Sequence, residues 1–369
     1  MKVLIIAGYT PSLINFRGNL IKDMIKSGYE VITIAPEEGY EEQIKALGAT
    51  FKQVDFNRTG SNPIKDFTLI FKLRKIIREI KPDVVFSYTI KPVVYGSLGA
   101  KLAGVKHIYS MVTGLGHAFM GTTFKQKLVG VIAKTLYKVA LLNNEKVIFQ
   151  NQDDIDEFDR LHLVNTKKCE LVSGSGVDLT KFEQAPLPEQ PVFLMICRLL
   201  REKGVVEYLE AARQIKEKYP EAVCKLVGPF DKNPSSLKEN ELQPYIESGS
   251  VEYLGEMSDV REAIKEARVY VLPSYREGTP RTVLEAMAMG RAILTTEAPG
   301  CKETVKEGIN GYMVPVKDIR ALVNKMEWFI KHPLETKQMG QASIDYCQQK
   351  YDVNKVNQDM LNIMKLNSK

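Results

Sequence analysis

The sequence predicts an α/β protein made of two doubly wound parallel sheets, each in its own domain. Strand-like and helix-like segments alternate from the start: residues 2–8 and 30–35 fit buried strands, and 14–26 fits a helix between them. Such alternation is typical of parallel sheets with helical crossovers. It pauses at a proline-rich stretch, 185–191, and restarts with an apolar strand at 192–197. A chain of 369 residues is long enough for two ordinary domains.

The joint between the domains is predicted near residue 180. A glycine-rich turn at 173–178 is followed by the proline-rich linker, whose composition is typical of a connection between domains. The predicted domains are therefore residues 1–180 and 181–349.

Composition excludes several classes of protein. Hydrophobic residues make up 44% of the chain and charged residues 26%, which are globular values. No run of eighteen apolar residues occurs, so no transmembrane helix is expected. The 5 cysteines are widely spaced and form no C-x-x-C pair, which favours a reducing cytoplasm over a disulfide framework or a zinc site.

The basic surplus of the chain lies in one part of the first domain. Residues 51–150 hold 16 Lys and Arg against 5 Asp and Glu, whereas residues 181–369 hold 27 of each. A positive patch attracts nucleic acid, an anionic membrane or a diphosphate ligand. The patch lacks the interleaved aromatic residues of single-strand binders, so nucleic acid is not expected.

Residues 124–142 predict a helix with an apolar side and interleaved lysines. An ordinary core-packing helix with solvated lysines would show the same pattern. A basic amphipathic helix is also typical of a membrane-surface element. Together with the basic run at 72–78, it favours peripheral contact with an anionic membrane.

The stretch 274–290 is the centre of the predicted site. It follows an apolar strand at 269–272 and leads through a Gly-Thr-Pro turn into a helix, whose exposed N–H groups can bind an anion. Glu277 lies in the turn and Glu285 in the helix, where they could accept hydrogen bonds from sugar and ribose hydroxyls. Two surface glutamates on an ordinary strand–helix unit are the alternative.

Two cations follow the strand at 192–197. Arg198 and Lys203 stand between this strand and the next helix, where a diphosphate would lie. Arginine can clamp it with two hydrogen bonds, and lysine can act as a point charge.

In the first domain, Arg17, Thr113 and His117 follow the ends of predicted strands. Ligands in open α/β sheets bind outside those ends, so these residues are candidates for contact with a second substrate. His117 could equally be a hydrogen-bonded structural histidine. The first strand is not followed by G-x-G-x-x-G, which argues against a nicotinamide dehydrogenase.

Motifs along essentially the whole chain together resemble those of glycosyltransferase family 4. They are Asn15-Phe16-Arg17, Arg58-x3-Asn62-Pro63, Gly114-Leu115-Gly116-x2-Phe119, Gly176-Val177-Asp178-x3-Phe182, Arg198-x4-Lys203-Gly204, Leu226-Val227-Gly228, Pro273-Ser274-x2-Glu277-Gly278-x-Pro280-x4-Glu285-Ala286, Gly300-x2-Glu303 and Asn310-Gly311. The first half is most similar to bacterial enzymes that assemble lipid-linked glycans and capsular polysaccharide, including N-acetylhexosaminyl transferases.

The resemblance implies the GT-B fold, with two Rossmann-like domains facing a central cleft and a last helix, about residues 350–369, that crosses back to the first domain. It implies retention of anomeric configuration and no metal. By similarity, Arg198 and Lys203 would neutralise the leaving diphosphate, and Glu277 would contact the donor sugar.

The resemblance also implies donor contacts from four further residues: Gly228, Gly278, Thr279 and Glu285, the last on the ribose. Acceptor contacts are expected from the first domain, where Arg17, Thr113 and His117 are the candidates.

The sequence therefore predicts a retaining glycosyltransferase that uses a nucleotide sugar, with UDP expected from the family. The predicted reaction moves an N-acetylhexosamine such as GalNAc onto a polyprenyl-diphosphate-linked saccharide, at the inner face of the plasma membrane in the cytoplasm. A sugar-nucleotide 2-epimerase of the same architecture is one alternative, although only 4 histidines are present for acid/base work. A non-catalytic membrane- or nucleic-acid-binding protein is another, but it would not need the set of two cations and two glutamates.

Overall fold

The computed structural model describes residues 1–56, 63–114 and 124–366, with side chains described in these ranges apart from 63–67 and 124–129. The chain divides into two compact units. The first comprises Met1–Ser175 and Val356–Lys369, and the second comprises Gly176–Lys355.

The first unit contains a parallel sheet of 7 strands in the order β3-β2-β1-β4-β5-β6-β7 within the described ranges. The strands are β1 Lys2–Ala7, β2 Glu30–Ala35, β3 Thr50–Gln53, β4 Val84–Tyr88, β5 His107–Met111, β6 Lys146–Phe149 and β7 Cys169–Leu171. β1 is apolar and buried almost throughout, as expected for a central strand covered on both faces.

Helices cover both faces of this sheet. They are α1 Thr10–Asn15, α2 Gly18–Lys26, α3 Glu41–Ala46, α4 Pro63–Ile80, α5 Ser97–Ala103, α6 Phe124–Leu141 and α7 Gln152–Arg160, and a π-helical turn, Pro92–Gly96, precedes α5. Alternate residues of β1 point to opposite faces, so Leu4 and Ile6 join the core under α4–α7, whereas Val3 and Ile5 join the core under α1–α3.

The second unit contains a parallel sheet of 6 strands in the order β10-β9-β8-β11-β12-β13. The strands are β8 Val192–Ile196, β9 Val223–Val227, β10 Glu252–Tyr253, β11 Val269–Leu272, β12 Ala292–Thr296 and β13 Gly311–Val314. The helices are α8 Val205–Lys218, α9 Glu239–Glu247, α10 Arg261–Lys265, α11 Arg281–Ala288, α12 Ile319–Lys331 and α13 Pro333–Lys350.

The last helix, α14, spans Val353–Ile363. Its buried residues Met360 and Leu361 belong to the core of the first unit beneath α1–α3. Asn357 donates a hydrogen bond from Nδ2 to Asp23 Oδ2 on α2 at 2.7 Å. The C-terminal segment therefore packs as part of the first unit.

Both sheets have the Rossmann strand order, which confirms the predicted fold class. In each sheet the chain moves outward from a central strand and then returns to its other side, so that β1 and β4, and likewise β8 and β11, are neighbours. Ligands of such sheets bind at this reversal point, outside the carboxyl ends of the strands. A ligand site is therefore expected at the residues that follow β1, β4, β8 and β11.

Two predicted helices differ in detail from the structure. The segment 14–26, predicted as one helix, forms two helices with a break at Phe16 and Arg17. The buried Arg17 side chain at this break contacts the carboxyl end of β5. The alternation of strands and helices also predicts a helix over about residues 93–103, and this helix begins as the π-helical turn. Among the described residues, no helix is long and apolar enough to cross a membrane.

Candidate active site at the strand ends

An ion pair joins the ends of the two central strands of the second unit. Lys203 ends the short 3-10 turn Arg201–Lys203 after β8, and Glu277 lies in the loop between β11 and α11. Lys203 Nζ lies 2.6 Å from Glu277 Oε1. The two side chains are only 20% and 13% exposed, so this contact is largely withdrawn from water.

Two hydrogen bonds to one backbone carbonyl hold the Lys203 turn against the loop that follows β11. The Tyr275 amide donates to the Glu202 carbonyl at 2.9 Å, and Ser274 Oγ donates to the same oxygen at 3.2 Å. Gly204 has φ +75°, and a Cβ there would lie 2.1 Å from the Pro273 carbonyl oxygen. Only glycine fits this close approach, which explains the Lys-Gly pair in the sequence.

A third loop supports Glu277 from the end of β12. The Glu277 amide donates to the Pro299 carbonyl at 2.9 Å. Gly300 has φ +80°, and a Cβ on it would lie 2.3 Å from the Glu277 carbonyl oxygen. The position of Glu277 is therefore set by close packing of two loops.

The electrostatics of the pair keep Lys203 charged. Burial acts to lower the pKa of Lys203, but the charge of Glu277 and the hydrogen bond to it outweigh burial, so that the pKa lies above its ordinary value. Neighbouring Cys197 is different, because burial raises the pKa of its thiol to about 12. That thiol stays neutral at physiological pH and is unsuited to act as a nucleophile.

Arg198 lies at the end of β8 with a carboxylate partner of its own. Its Nη1 lies 2.8 Å from Asp231 Oδ2, and its side chain is 53% exposed. Gly228, at the end of β9, has φ +141°, and a Cβ on it would lie 1.7 Å from the Cys197 carbonyl oxygen. This close approach brings the loop that carries Asp231 beside Arg198.

Glu285 is buried on α11. It is 7% exposed, and Arg281 Nε, one helical turn earlier, donates to its Oε1 at 2.9 Å. Burial raises the pKa of Glu285, and the attraction of Arg281 only partly opposes this. Gly278 and Thr279 lie between Glu277 and the start of α11, so their amides belong to the strand-to-helix turn.

In the first unit, the Arg17 side chain contacts the ends of β4 and β5. It is 3% exposed, its Nη2 contacts Met111 Sδ at the end of β5, and its guanidinium lies 5.4 Å from the centroid of the Tyr88 ring at the end of β4. Thr113, half-buried, follows two residues after Met111. His117 lies outside the described residues.

The structure thus joins Lys203 with Glu277, whereas Arg198 and Glu285 each have other partners. Sequence reasoning missed Asp231 as the partner of Arg198 and Tyr88 as the ring beside Arg17. A carboxylate shortly after the Leu226-Val227-Gly228 strand end was the available signal for Asp231. Within the described ranges, no group of three or more potential metal ligands is present.

Two family models match the chain. The model described as Glycosyl transferase 4-like matches residues 11–151, and the model described as Glycosyl transferases group 1 matches residues 177–345. The second match contains the ion pair and the loops around it.

Bacterial glycosyltransferases are similar in sequence over most of the chain. The N,N'-diacetylbacillosaminyl-diphospho-undecaprenol alpha-1,3-N-acetylgalactosaminyltransferase of Campylobacter jejuni is 31% identical over 334 residues, which cover 87% of either protein. The UDP-Gal:alpha-D-GlcNAc-diphosphoundecaprenol alpha-1,3-galactosyltransferase of Escherichia coli is 28% identical and covers 71% of this chain and 70% of its own. A capsular polysaccharide biosynthesis glycosyltransferase of Staphylococcus aureus is 22% identical over 313 residues, covering 78% of this chain and 79% of its own.

Solved structures share the fold. A glycosyltransferase of Rickettsia africae superposes with a TM-score of 0.79 at 18% identity, covering 99% of this chain and 97% of its own. HepE of Anabaena in complex with UDP-glucose superposes with a TM-score of 0.78 at 17% identity, covering 99% of either chain. With the identity to the Campylobacter transferase, these findings confirm the resemblance seen in the sequence. The chain belongs to glycosyltransferase family 4 and is a glycosyltransferase with the GT-B fold.

Proposed function

We propose that this glycosyltransferase moves an N-acetylhexosamine, such as GalNAc, from UDP to a polyprenyl-diphosphate-linked saccharide, with retention of anomeric configuration. The names of the Campylobacter and Escherichia relatives describe transfer to undecaprenyl-diphosphate-linked saccharides. The product would extend a lipid-linked glycan during assembly of surface polysaccharide.

The observation that carries this proposal is the pair of Lys203 and Glu277 at the reversal point of the second sheet. An ammonium group has three N–H donors, so Lys203 can hold Glu277 and bind phosphate oxygens at the same time. Glu277 keeps its carboxylate beside the sugar, where it can accept hydrogen bonds from hydroxyl groups. One contact thereby links the part of the site that binds the diphosphate to the part that binds the sugar.

The proposed reaction breaks the bond between the anomeric carbon and a diphosphate oxygen. The acceptor hydroxyl oxygen forms the new bond on the same face, and its proton passes to the departing phosphate oxygen. Negative charge grows on UDP as it leaves, and Lys203 with Arg198 would stabilise it. Fixed charges that face developing charge are among the largest contributions to catalysis.

The remaining predicted contacts divide between donor and acceptor. Glu285 would bind the ribose hydroxyls, and the amides of Gly278 and Thr279 would bind phosphate or sugar oxygens at the strand-to-helix turn. Gly228 would let the donor approach the backbone at the end of β9. On the acceptor side, Arg17 and Thr113 are the described candidates, and His117 stays a prediction from sequence.

We further propose that the first unit docks on an anionic membrane at the cytoplasmic face, because it exposes apolar side chains among cations. Four large apolar side chains on α6 and directly after its last residue are 45–67% exposed: Val131, Ile132, Val139 and Leu142. Phe71 on α4 is 48% exposed, and Arg74, Lys75 and Arg78 line the same groove. α4 and α6 pack on the same face of the sheet. Apolar insertion combined with lysine and arginine contacts is how peripheral proteins bind anionic lipid.

A panel of nucleotides and nucleotide sugars tests the donor assignment. A bound ligand raises apparent stability by mass action, so UDP and UDP-GalNAc should raise Tm, whereas GDP and dTDP should not. Transfer to a synthetic polyprenyl-diphosphate saccharide, with NMR analysis of the new linkage, then tests acceptor and retention. A stability gain with GDP alone would contradict the UDP assignment, and loss of transfer in EDTA would contradict metal independence.

A further inference from the structure

Tyr275 connects the loop of Glu277 to the start of α8. Its hydroxyl donates a hydrogen bond to Glu207 Oε1 at 2.6 Å. Glu207 is 8% exposed and lies in the first turn of α8. Tyr275 itself stands two residues before Glu277 in the chain.

Both ends of Tyr275 are thus held by the segment that carries Lys203. Its amide donates to the carbonyl of Glu202, the residue before Lys203, and its hydroxyl donates to Glu207, four residues after Lys203. The backbone of Lys203 therefore lies between the two points where Tyr275 is attached. A shift of the β11 loop relative to the Lys203 turn would break one contact or the other.

The hydrogen bond between Tyr275 and Glu207 is of a type that is stronger than average. Glu207 lies at a helix N-terminus, where the helix dipole favours a carboxylate, and hydrogen bonds to an ionised acceptor are about twice as strong as neutral ones. Burial and the hydrogen bond to Glu207 both raise the pKa of Tyr275, so that its hydroxyl remains a donor. Lys317 Nζ lies 4.8 Å from the centroid of the Tyr275 ring, within the range of a cation–π contact.

Stability does not explain the second oxygen of this carboxylate. Glu207 Oε2 is buried and accepts no hydrogen bond from any residue in the described ranges. A buried carboxylate oxygen without a donor is unfavourable for folding. Local features that reduce stability are found mainly at functional sites.

We infer that Tyr275 and Glu207 are positioning residues for sugar transfer, holding the Glu277 loop in register with Lys203. The inference rests on the proposed function, because it assigns the pair to the step in which Lys203 meets the departing diphosphate. In this role the two residues act through Glu277 and Lys203 and not by binding substrate.

The test uses two single variants, Tyr275→Phe and Glu207→Leu, and the double variant that carries both changes. A third single variant, Glu207→Gln, keeps an oxygen that can accept the hydrogen bond. Assays are run well below the Tm of each variant, so that only folded enzyme is compared. We expect kcat to fall about tenfold in each of the first two variants, with donor KM changed less than about twofold, since the loop acts on the transition state. The double variant should be no slower than either single variant, because both remove one interaction. Glu207→Gln should keep most of the wild-type kcat.

Tyr219→Phe provides a matched control. Tyr219 directly follows the other end of α8 and donates to Glu327 Oε2 on α12 at 3.5 Å, so this variant also removes a Tyr–Glu hydrogen bond next to the same helix. Its kcat should equal that of the wild type.

Amide hydrogen exchange gives a readout that does not depend on turnover. The amides of residues 276–279 should exchange about tenfold faster in Tyr275→Phe than in Tyr219→Phe, since local opening is set by local contacts. Equal exchange in the two variants would overturn the inference, as would full kcat in Tyr275→Phe or multiplicative losses in the double variant. Failure of wild-type enzyme to bind or use any nucleotide sugar would instead count against the proposed function, while the exchange comparison still decides the role of Tyr275.

Discussion

Lys203 Nζ lies 2.6 Å from Glu277 Oε1, although the two residues are 74 positions apart in the chain. The contact forms because β8 and β11 are hydrogen-bonded neighbours, so the loops that follow them leave the same edge of the sheet. The strand order of the second sheet therefore places the two residues together at the proposed donor site.

The charge state of Lys203 should depend on Glu277. Burial acts to lower the pKa of Lys203, and Glu277 reverses the shift; Glu277→Gln therefore leaves burial unopposed. The ammonium should lose its proton at lower pH in this variant than in the wild type. We expect the alkaline limb of the kcat/KM profile, scaled to its own maximum, to move to lower pH.

The control for this profile is Glu266→Gln. Glu266 pairs with Lys225 at 2.6 Å elsewhere in the second unit, and its loss should leave the profile unchanged. Superimposable alkaline limbs for wild type and Glu277→Gln would show that Glu277 does not set the charge of Lys203.

Gly300→Ala should lower the stability of the protein by more than the strain of a positive φ at residue 300 would alone, because the added Cβ also clashes with the Glu277 loop. Gly300 and Gly249 both have positive φ, at +80° and +68°. A Cβ on Gly300 would lie 2.3 Å from the Glu277 carbonyl oxygen, whereas a Cβ on Gly249 meets nothing within 4 Å. Gly249→Ala should cost about 1 kcal/mol of unfolding free energy, and Gly300→Ala about 2–4 kcal/mol.

Denaturant unfolding measures both costs, and transfer assays on the folded variants measure the effect on the loop. Only Gly300→Ala should reduce kcat. Equal losses of stability in the two variants would mean that the Glu277 loop moves away from the added methyl group at no cost in free energy.

Glu145 should stabilise the first unit above acidic pH. Burial acts to raise its pKa, but the hydrogen bonds from Lys365 and His107 outweigh burial and lower it from 4.5 to about 2. A depressed carboxyl pKa contributes stability that is present above the unfolded value and is lost as pH falls through the folded value. The contribution is therefore complete above about pH 5 and disappears towards pH 2.

The variant that tests this is Glu145→Gln. It should lose about 1–2 kcal/mol at neutral pH, discounted for solvent screening, and the difference from wild type should vanish in acid. Lys365 lies 2.5 Å from Glu145, so the loss should include weaker docking of the C-terminal segment. A difference between wild type and variant that does not change with pH would contradict this account.

Membrane docking should depend on the exposed face of α6. Val131→Glu with Leu142→Glu adds two charges to the proposed lipid-facing side, where these side chains are 60% and 67% exposed. Burial of each apolar side chain is worth about 1.5–3 kcal/mol, so binding to anionic vesicles should fall at least about tenfold. Vesicle sedimentation at low and high salt measures the bound fraction.

Leu334→Glu is the matched control, since Leu334 is 74% exposed but lies on α13 of the second unit. It should sediment like the wild type. Retained binding by the α6 variant would exclude this face as the docking surface.

The fold class and the residues at the strand ends could be predicted because their signals lie in short stretches of neighbouring residues. Apolar runs such as residues 269–272 and 292–295 are short, β-branched and followed by turns, so strands and their ends are visible in the chain itself. The placement of Arg198 and Lys203 after β8 follows directly from this pattern.

The partners of these residues could not be predicted in the same way. Tyr275 and Glu207 are 68 positions apart, and Arg198 and Asp231 are 33 apart. Their contacts depend on strand order and loop path, which periodicity does not encode. The break at Arg17 was missed for a similar reason, because tertiary contacts at the sheet edge override a continuous helical pattern.

The most direct test of the central claim compares Lys203→Ala with Lys225→Ala in single-turnover transfer from UDP-GalNAc. Both lysines are largely buried, at 20% and 15% side-chain exposure, and each pairs with a glutamate at 2.6 Å, but only Lys203 lies at the reversal point of the sheet. Loss of one electrostatic stabiliser costs about 2–4 kcal/mol of barrier, so Lys203→Ala should react about 100- to 1,000-fold more slowly while Lys225→Ala keeps the wild-type rate. Equal rates for the two folded variants would contradict the claim that Lys203 stabilises the departing diphosphate.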